Sequence, residues 1–175
     1  MQLADYNELV SNTYIDLYER GGVAAWQRFT TSWQRARQFT RIQFFGIETT
    51  FLRGCMALGA RNELRDAHAI AERCAKRLAR IGTKFSKMLA TQLRAAIATE
   101  RGERDTAAWL LRDAIRDAEA IDTTGYAMAA RIRLGDVVDD ADARAQASEA
   151  ESFFRAQGVV APRRFANLLA PGLGN

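Results

Sequence analysis

The stretch LRDAHAIAERCAKRLARIG, residues 64–82, decides the class of fold. Leu64, Ala67, Ala71, Cys74, Leu78 and Ile81 stand at intervals of 3, 4, 3, 4 and 3. That spacing stacks them along one side of an α-helix. The opposite side carries Asp66, Arg73, Lys76, Arg77 and Arg80. One side is therefore buried and the other wet. Gly82 closes the run, because glycine adopts the left-handed turn that ends a helix without steric cost. The spacing predicts a helix over 63–81.

The same rhythm extends in both directions. Upstream, glycines and polar breaks delimit helices over 3–20, 23–38 and 39–59. Trp26, Phe29 and Trp33 share one face of the second. The third carries two apolar stripes: Ile42, Phe45, Leu52 and Met56, and beside them Phe44, Ile47, Phe51, Cys55 and Leu58. A helix apolar on two sides is packed on two sides. Downstream, helices are predicted over 84–101, 104–121, 126–134 and 141–157, with breaks at Gly102, Asp122–Gly125, Gly135 and Gly158. Grouped in twos, these give pairs over about 1–38, 39–82, 83–124 and 125–158. A helix-turn-helix unit recurring at such a length is the mark of an α-solenoid. Residue identity recurs too: Ala24-Ala25-Trp26 and Ala107-Ala108-Trp109 open second helices of their pairs. The fold expected is all-α, a tetratricopeptide-like α-solenoid of four antiparallel pairs.

Both prolines, Pro162 and Pro171, fall in the last stretch, AQGVVAPRRFANLLAPG at 156–172. Pro162 suits the first turn of a new helix, where its missing N–H goes unpaired in any case. Phe165, Leu168 and Leu169 give that helix an apolar face. The last unit of a helical array needs a cap. Residues 159–175 are therefore read as a short capping helix and tail, a lid over the final pair.

The ending Ala156-Gln157-Gly158-Val159…Pro162-Arg163…Leu169-Ala170-Pro171-Gly172 resembles the extreme C-terminus of large bacterial signalling proteins, especially those of myxobacteria and their relatives. LYERGGVAAWQRF at 17–29 and RIQFFGIETTFLRGCMAL at 41–58 resemble the same region. Proteins of that kind join a serine/threonine kinase domain, a STAND-type NTPase and a long tetratricopeptide-like array. The resemblance implies a regulatory scaffold whose enzyme lies elsewhere in a longer chain. The sequence departs from the usual unit of about 34 residues, being longer in most units and lacking the usual proline.

Catalytic signatures are missing from the sequence. It has no phosphate-binding G-x-x-x-x-G-K-[ST] loop and no His-Arg-Asp or Asp-Phe-Gly kinase motif. His68 is the sole histidine, so a metal site or a nucleophile-base relay would rest on it alone. Cys55 and Cys74 fall within helices and read as buried free thiols of a reducing cytoplasm. Asp136, Asp139, Asp140 and Asp142 crowd one loop without the ligand spacing of a calcium site, and read as turn and cap residues. No cofactor is expected, and the chain is read as not an enzyme. The segment MQLADYNELV has neither the basic region nor the apolar run of a secretory signal, which again predicts the cytoplasm. No apolar run is long enough for a membrane span.

Charge points to a partner. Residues 41–104 hold 13 Lys/Arg against 6 Asp/Glu, while residues 105–175 hold 8 against 11. A basic middle attracts acidic molecules. Its aromatics lie on apolar stripes, and stacking on bases needs exposed rings, which argues against nucleic acid. In helical arrays the first helix of each pair lines the concave groove. Gln43, Thr50 and Arg53 share the polar side of one such helix, and Lys87, Thr91, Arg94 and Arg101 that of the next. These seven are the candidate partner-binding residues, for an acidic peptide or for other domains of a parent protein. The alternative is ligand sensing within the hollow of a STAND-type regulator.

Overall fold

The computed structural model describes residues 3–19, 21–36 and 43–172. Its described residues are all-α, with no strand among them. The helices are α1 (Leu3–Glu19), α2 (Gly22–Ala36), α3 (Gln43–Gly59), α4 (Ala67–Ile81), α5 (Lys84–Glu100), α6 (Arg104–Glu119), α7 (Thr124–Val137), α8 (Ala141–Ala156) and α9 (Pro162–Leu169). Each helix from α1 to α8 packs against the next, and α3 also touches α1 and α5. The break near residue 38 and the stripe position Ile42 lie outside the described residues. None of the described helices is long and apolar enough to cross a membrane.

Glycines at positive φ close the helices as the sequence implies. Gly82 sits at φ +83°, and Thr83 then caps α5 by accepting from the Ser86 N–H at 3.1 Å. The apolar stripe of α4 is buried at Ala67, Ala71, Cys74 and Leu78 and half-buried at Leu64 and Ile81, while Arg73, Lys76, Arg77 and Arg80 are exposed. Leu52, Leu78, Met88, Leu89 and Leu93 are almost wholly enclosed and form the heart of the core.

Four boundaries and contacts differ from the sequence reading. Helix α4 begins at Ala67, not at 63, because residues 60–66 form successive turns closed by bonds such as Leu64 N–H to the Ala60 carbonyl at 2.8 Å. Those turns free the Glu63 carboxylate to accept from the Val23 N–H at 3.0 Å, at the start of α2. Helix α7 runs through Gly135 to Val137. That glycine is a packing residue: a Cβ on it would come within 2.6 Å of the Ala147 Cβ on α8. Phe44, assigned to a buried stripe, is 65% exposed. Trp109 is 64% exposed whereas Trp26 is buried, so the two Ala-Ala-Trp triplets are not equivalent in space.

The largest difference concerns the C-terminal segment. Pro162 does begin α9, and Phe165 packs edge-on against Phe154 at 5.2 Å between ring centroids. Yet α9 is not confined to the last pair. It lies chiefly on α7 and reaches back to α1 at the other end of the chain. Leu168 joins the same core cluster as Leu9, Phe51 and Leu89. The segment packs on helices from both ends of the chain and does not merely cover α7 and α8.

Candidate functional site

Two sets of polar residues stand out, one on each side of the helix layer. The inner set links α1 with α3 and α5 with α7. Glu48 on α3 accepts from the hydroxyl of Tyr14 at 3.0 Å and from that of Tyr6, both on α1. Burial, then Glu48, push the Tyr14 phenol far above its ordinary value. Tyr126 on α7 is raised to about 12, first by burial and then by Cys55 and Glu48. Gln92 on α5 is buried and directs its Nε2 to the Tyr126 carbonyl at 3.5 Å.

Beside this lies a cavity of about 170 Å³ bounded by Asp16, Cys55, Glu100, Asn167 and Gly172. Its charges are matched. Asp16 pairs with Arg28, and Glu100 pairs with Arg61 at 2.5 Å. Burial raises the Glu100 carboxyl while Arg61 pulls it back down.

Arg133 on α7 holds the C-terminal segment in place. Its side chain is 4% exposed. Nε donates to the Ala170 carbonyl at 3.0 Å, and one terminal nitrogen donates to the Asn167 Oδ1 at 2.6 Å and to the Arg163 carbonyl at 3.2 Å. The other meets Asp136 at 3.0 Å. Arg163 returns across the same joint to Asp136 and Glu151. A planar guanidinium with its donors in a fixed fork suits several acceptors at once. Gly172 lies directly over it, since a Cβ there would fall 2.6 Å from the Arg133 Cδ.

The aspartates read as one crowded loop stand at the end of α7, in the 138–140 link and at the start of α8, and have structural tasks. Asp140 caps α8 by accepting from the Ala143 N–H at 2.7 Å, Asp139 pairs with Arg144, and Asp142 accepts from Gln146. Cys55 and Cys74 are both buried and unbridged. No three His, Cys, Asp or Glu side chains gather to hold a metal ion among the described residues.

The seven candidate residues do not line the inner side. On α3, Glu48, Cys55 and Gly59 point inward, and helical register turns Gln43, Thr50 and Arg53 to the opposite side. There Thr50 is buried, Gln43 is exposed, and the Arg53 guanidinium lies over the Trp33 ring, 5.6 Å from its centroid. On α5, Gln92 and Ala96 face inward, so Lys87, Arg94 and Arg101 face outward between α4 and α6. Lys87 and Arg101 are exposed, Arg94 is half-buried, and Thr91 donates to the Lys87 carbonyl at 3.1 Å. These seven residues thus lie on the side of α3 and α5 opposite Asn167, Pro171 and Gly172.

On the outer side, a cleft between α2, α3 and α4 brings Arg53 together with Arg73 and Arg77, around Trp33, Thr50, Ile70 and Cys74. Burial raises the Cys74 thiol to about 11 while Arg53, Arg77 and Arg73 oppose the rise. The sequence reading took Arg73 and Arg77 as a solvated face, and nothing in α4 alone shows that Arg53 arrives beside them. Arg133 left one visible signal: it shares the apolar register of Ala129, Ala130 and Val137. No protein-family model, curated protein or solved structure matches the chain.

Proposed function

We propose that the chain is a non-catalytic, tetratricopeptide-like α-solenoid of four helix pairs, acting as a protein–protein interaction or regulatory scaffold in the bacterial cytoplasm. In this reading it belongs to a larger signalling protein of the kinase and STAND-NTPase type that its sequence resembles. The observation that carries the binding role is the outward row on α5. Lys87, Arg94 and Arg101 are spaced two turns apart along one face and make no ion pair with a carboxylate among the described residues. A row of cations of that spacing suits an extended acidic segment, either a peptide or part of a parent protein. Each exposed contact contributes only about 0.2–1 kcal/mol, so recognition draws on several together.

The test is fluorescence anisotropy of a labelled oligoglutamate peptide. The wild-type chain should bind, and binding should weaken with added salt as exposed charges are screened. Lys87→Glu combined with Arg94→Glu should abolish it while circular dichroism stays unchanged. Equal binding by the double variant, or no effect of salt, would remove this row as the interface.

Ligand sensing is the second reading. It is favoured by the pocket of about 170 Å³ between α1, α3, α5 and residues 167–172, whose wall carries Asp16, Glu100 and Asn167.

A further inference from the structure

The outer cleft between α2, α3 and α4 has the composition of an oxyanion site. Its wall consists of Trp33, Thr50, Arg53, Ile70, Arg73, Cys74 and Arg77. Three guanidiniums line it and no carboxylate does. None of the three is in an ion pair or hydrogen bond with an acidic side chain among the described residues. Three like charges around one small cleft, with no acid beside them, attract an anion.

A second observation is independent of charge. Thr50 is 2% exposed, and its Oγ1 is buried without a hydrogen-bond partner. Buried hydroxyls are nearly always bonded, so an unpartnered one on a residue of the cleft wall is a donor still to be used. Thr49, its neighbour in α3, shows the ordinary alternative by donating back to the Phe45 carbonyl at 2.5 Å.

The geometry also restricts the ligand. The Arg53 guanidinium lies over the Trp33 ring, 5.6 Å from its centroid, a cation–π contact that keeps it at the cleft wall. Arg73 and Arg77 stand one turn apart on α4 and approach from the facing wall. The cleft encloses about 170 Å³. That is below the roughly 300 Å³ at which sites for drug-sized molecules begin. Guanidinium forks match phosphate oxygens in pairs, and a hydroxyl supplies a further donor.

We propose that this cleft binds a phosphate group, with Arg53, Arg73 and Arg77 neutralising it and the Thr50 hydroxyl donating to one of its oxygens. The proposal rests on the scaffold reading only in placing recognition on the outer side. It stands or falls separately from the row on α5, because its residues are different.

The experiment is calorimetric titration of the whole chain at low salt with inorganic phosphate, with O-phosphoserine and with acetate. Saturable binding of both phosphate compounds is expected, with acetate at least roughly tenfold weaker. Tighter binding of O-phosphoserine would identify a phosphomonoester on a partner as the source. Binding of inorganic phosphate alone would identify the free ion; either result supports the site. Arg73→Ala and Arg77→Ala alter exposed side chains and leave the core untouched, and each should weaken binding by roughly tenfold or more. Thr50→Val keeps the branched shape and should weaken it severalfold. Arg80→Ala, on the same helix but outside the cleft wall, should change nothing, and neither should the Lys87→Glu, Arg94→Glu pair. Absence of saturable binding, equal affinity for acetate, or full affinity in the Arg73→Ala, Arg77→Ala double variant would overturn the proposal.

Discussion

Replacing Arg133 with methionine tests whether one side chain holds the C-terminal segment in place. Methionine keeps most of the length and volume, so loss of packing is small. What disappears is a set of donors. The Asn167 Oδ1 and the Ala170 carbonyl belong to residues 8% and 1% exposed, and both accept from Arg133. A buried acceptor left without a donor costs about 1–3 kcal/mol, so the pair costs about 2–6 kcal/mol. The Asp136 carboxylate keeps Arg163 and so loses less. A loss of about 3 kcal/mol is a large part of a typical total of about 5–15 kcal/mol. For a chain of this size it lowers the melting temperature by about 6–12 °C. The segment itself should loosen first, exposing Leu168 and the ring of Phe165. Limited proteolysis should therefore cut the variant between α8 and α9, near exposed Val160, at protease levels that spare the wild type. Differential scanning calorimetry and the digest read the two effects separately. An unchanged melting temperature together with unchanged resistance at that site would refute the reasoning.

Other outcomes follow from the same structure. Gly135→Val should lower the melting temperature by forcing α7 from α8, at about 1–3 kcal/mol, a typical cost of overpacking. Thr83→Ala should remove the α5 cap and cost about 1 kcal/mol, read from urea denaturation. Because Tyr126 titrates near 12 when folded against 10.0 ordinarily, the unfolded chain loses that proton first as pH rises. Its contribution is complete below pH 10 and fades between about pH 10 and 12; Tyr126→Phe should flatten the fall in stability across that window. Both thiols should resist a disulfide reagent in the native chain and react only on unfolding, since Cys55 is 1% and Cys74 is 6% exposed.

Local chemistry was legible in the sequence where neighbours along the chain decide the outcome. The stripe from Leu64 to Ile81, the stop at Gly82, the Pro162 start and the Asp140 cap all act within one or two turns. What stayed hidden depends on residues distant in the chain. Gly135 reads as a helix stop because glycine usually is one; its packing role requires Ala147 on another helix. Trp109 repeats the letters of Trp26, but α1 and α3 lie near one tryptophan and no helix covers the other. The spacing of Gln43, Thr50 and Arg53 on α3, and of Lys87, Arg94 and Arg101 on and just after α5, follows from periodicity alone. Their direction was missed because the inward side is set by where α9 comes to rest, and helical periodicity is blind to that.

The contact between α1 and α9 turns the chain from a line into a ring. A stack in which each unit meets only its neighbours loses its ends first and unravels stepwise, because no single contact spans the whole. Here α1 and α9 share a surface, so neither helix comes away without the other losing a contact. Closing so long a loop carries an entropic cost that grows only logarithmically with length, a modest addition for a contact that ties both ends. It does raise the mean sequence separation of native contacts, which slows folding. The chain should therefore fold slowly and melt in one sharp transition, because the α1–α9 contact couples the helices at the two ends.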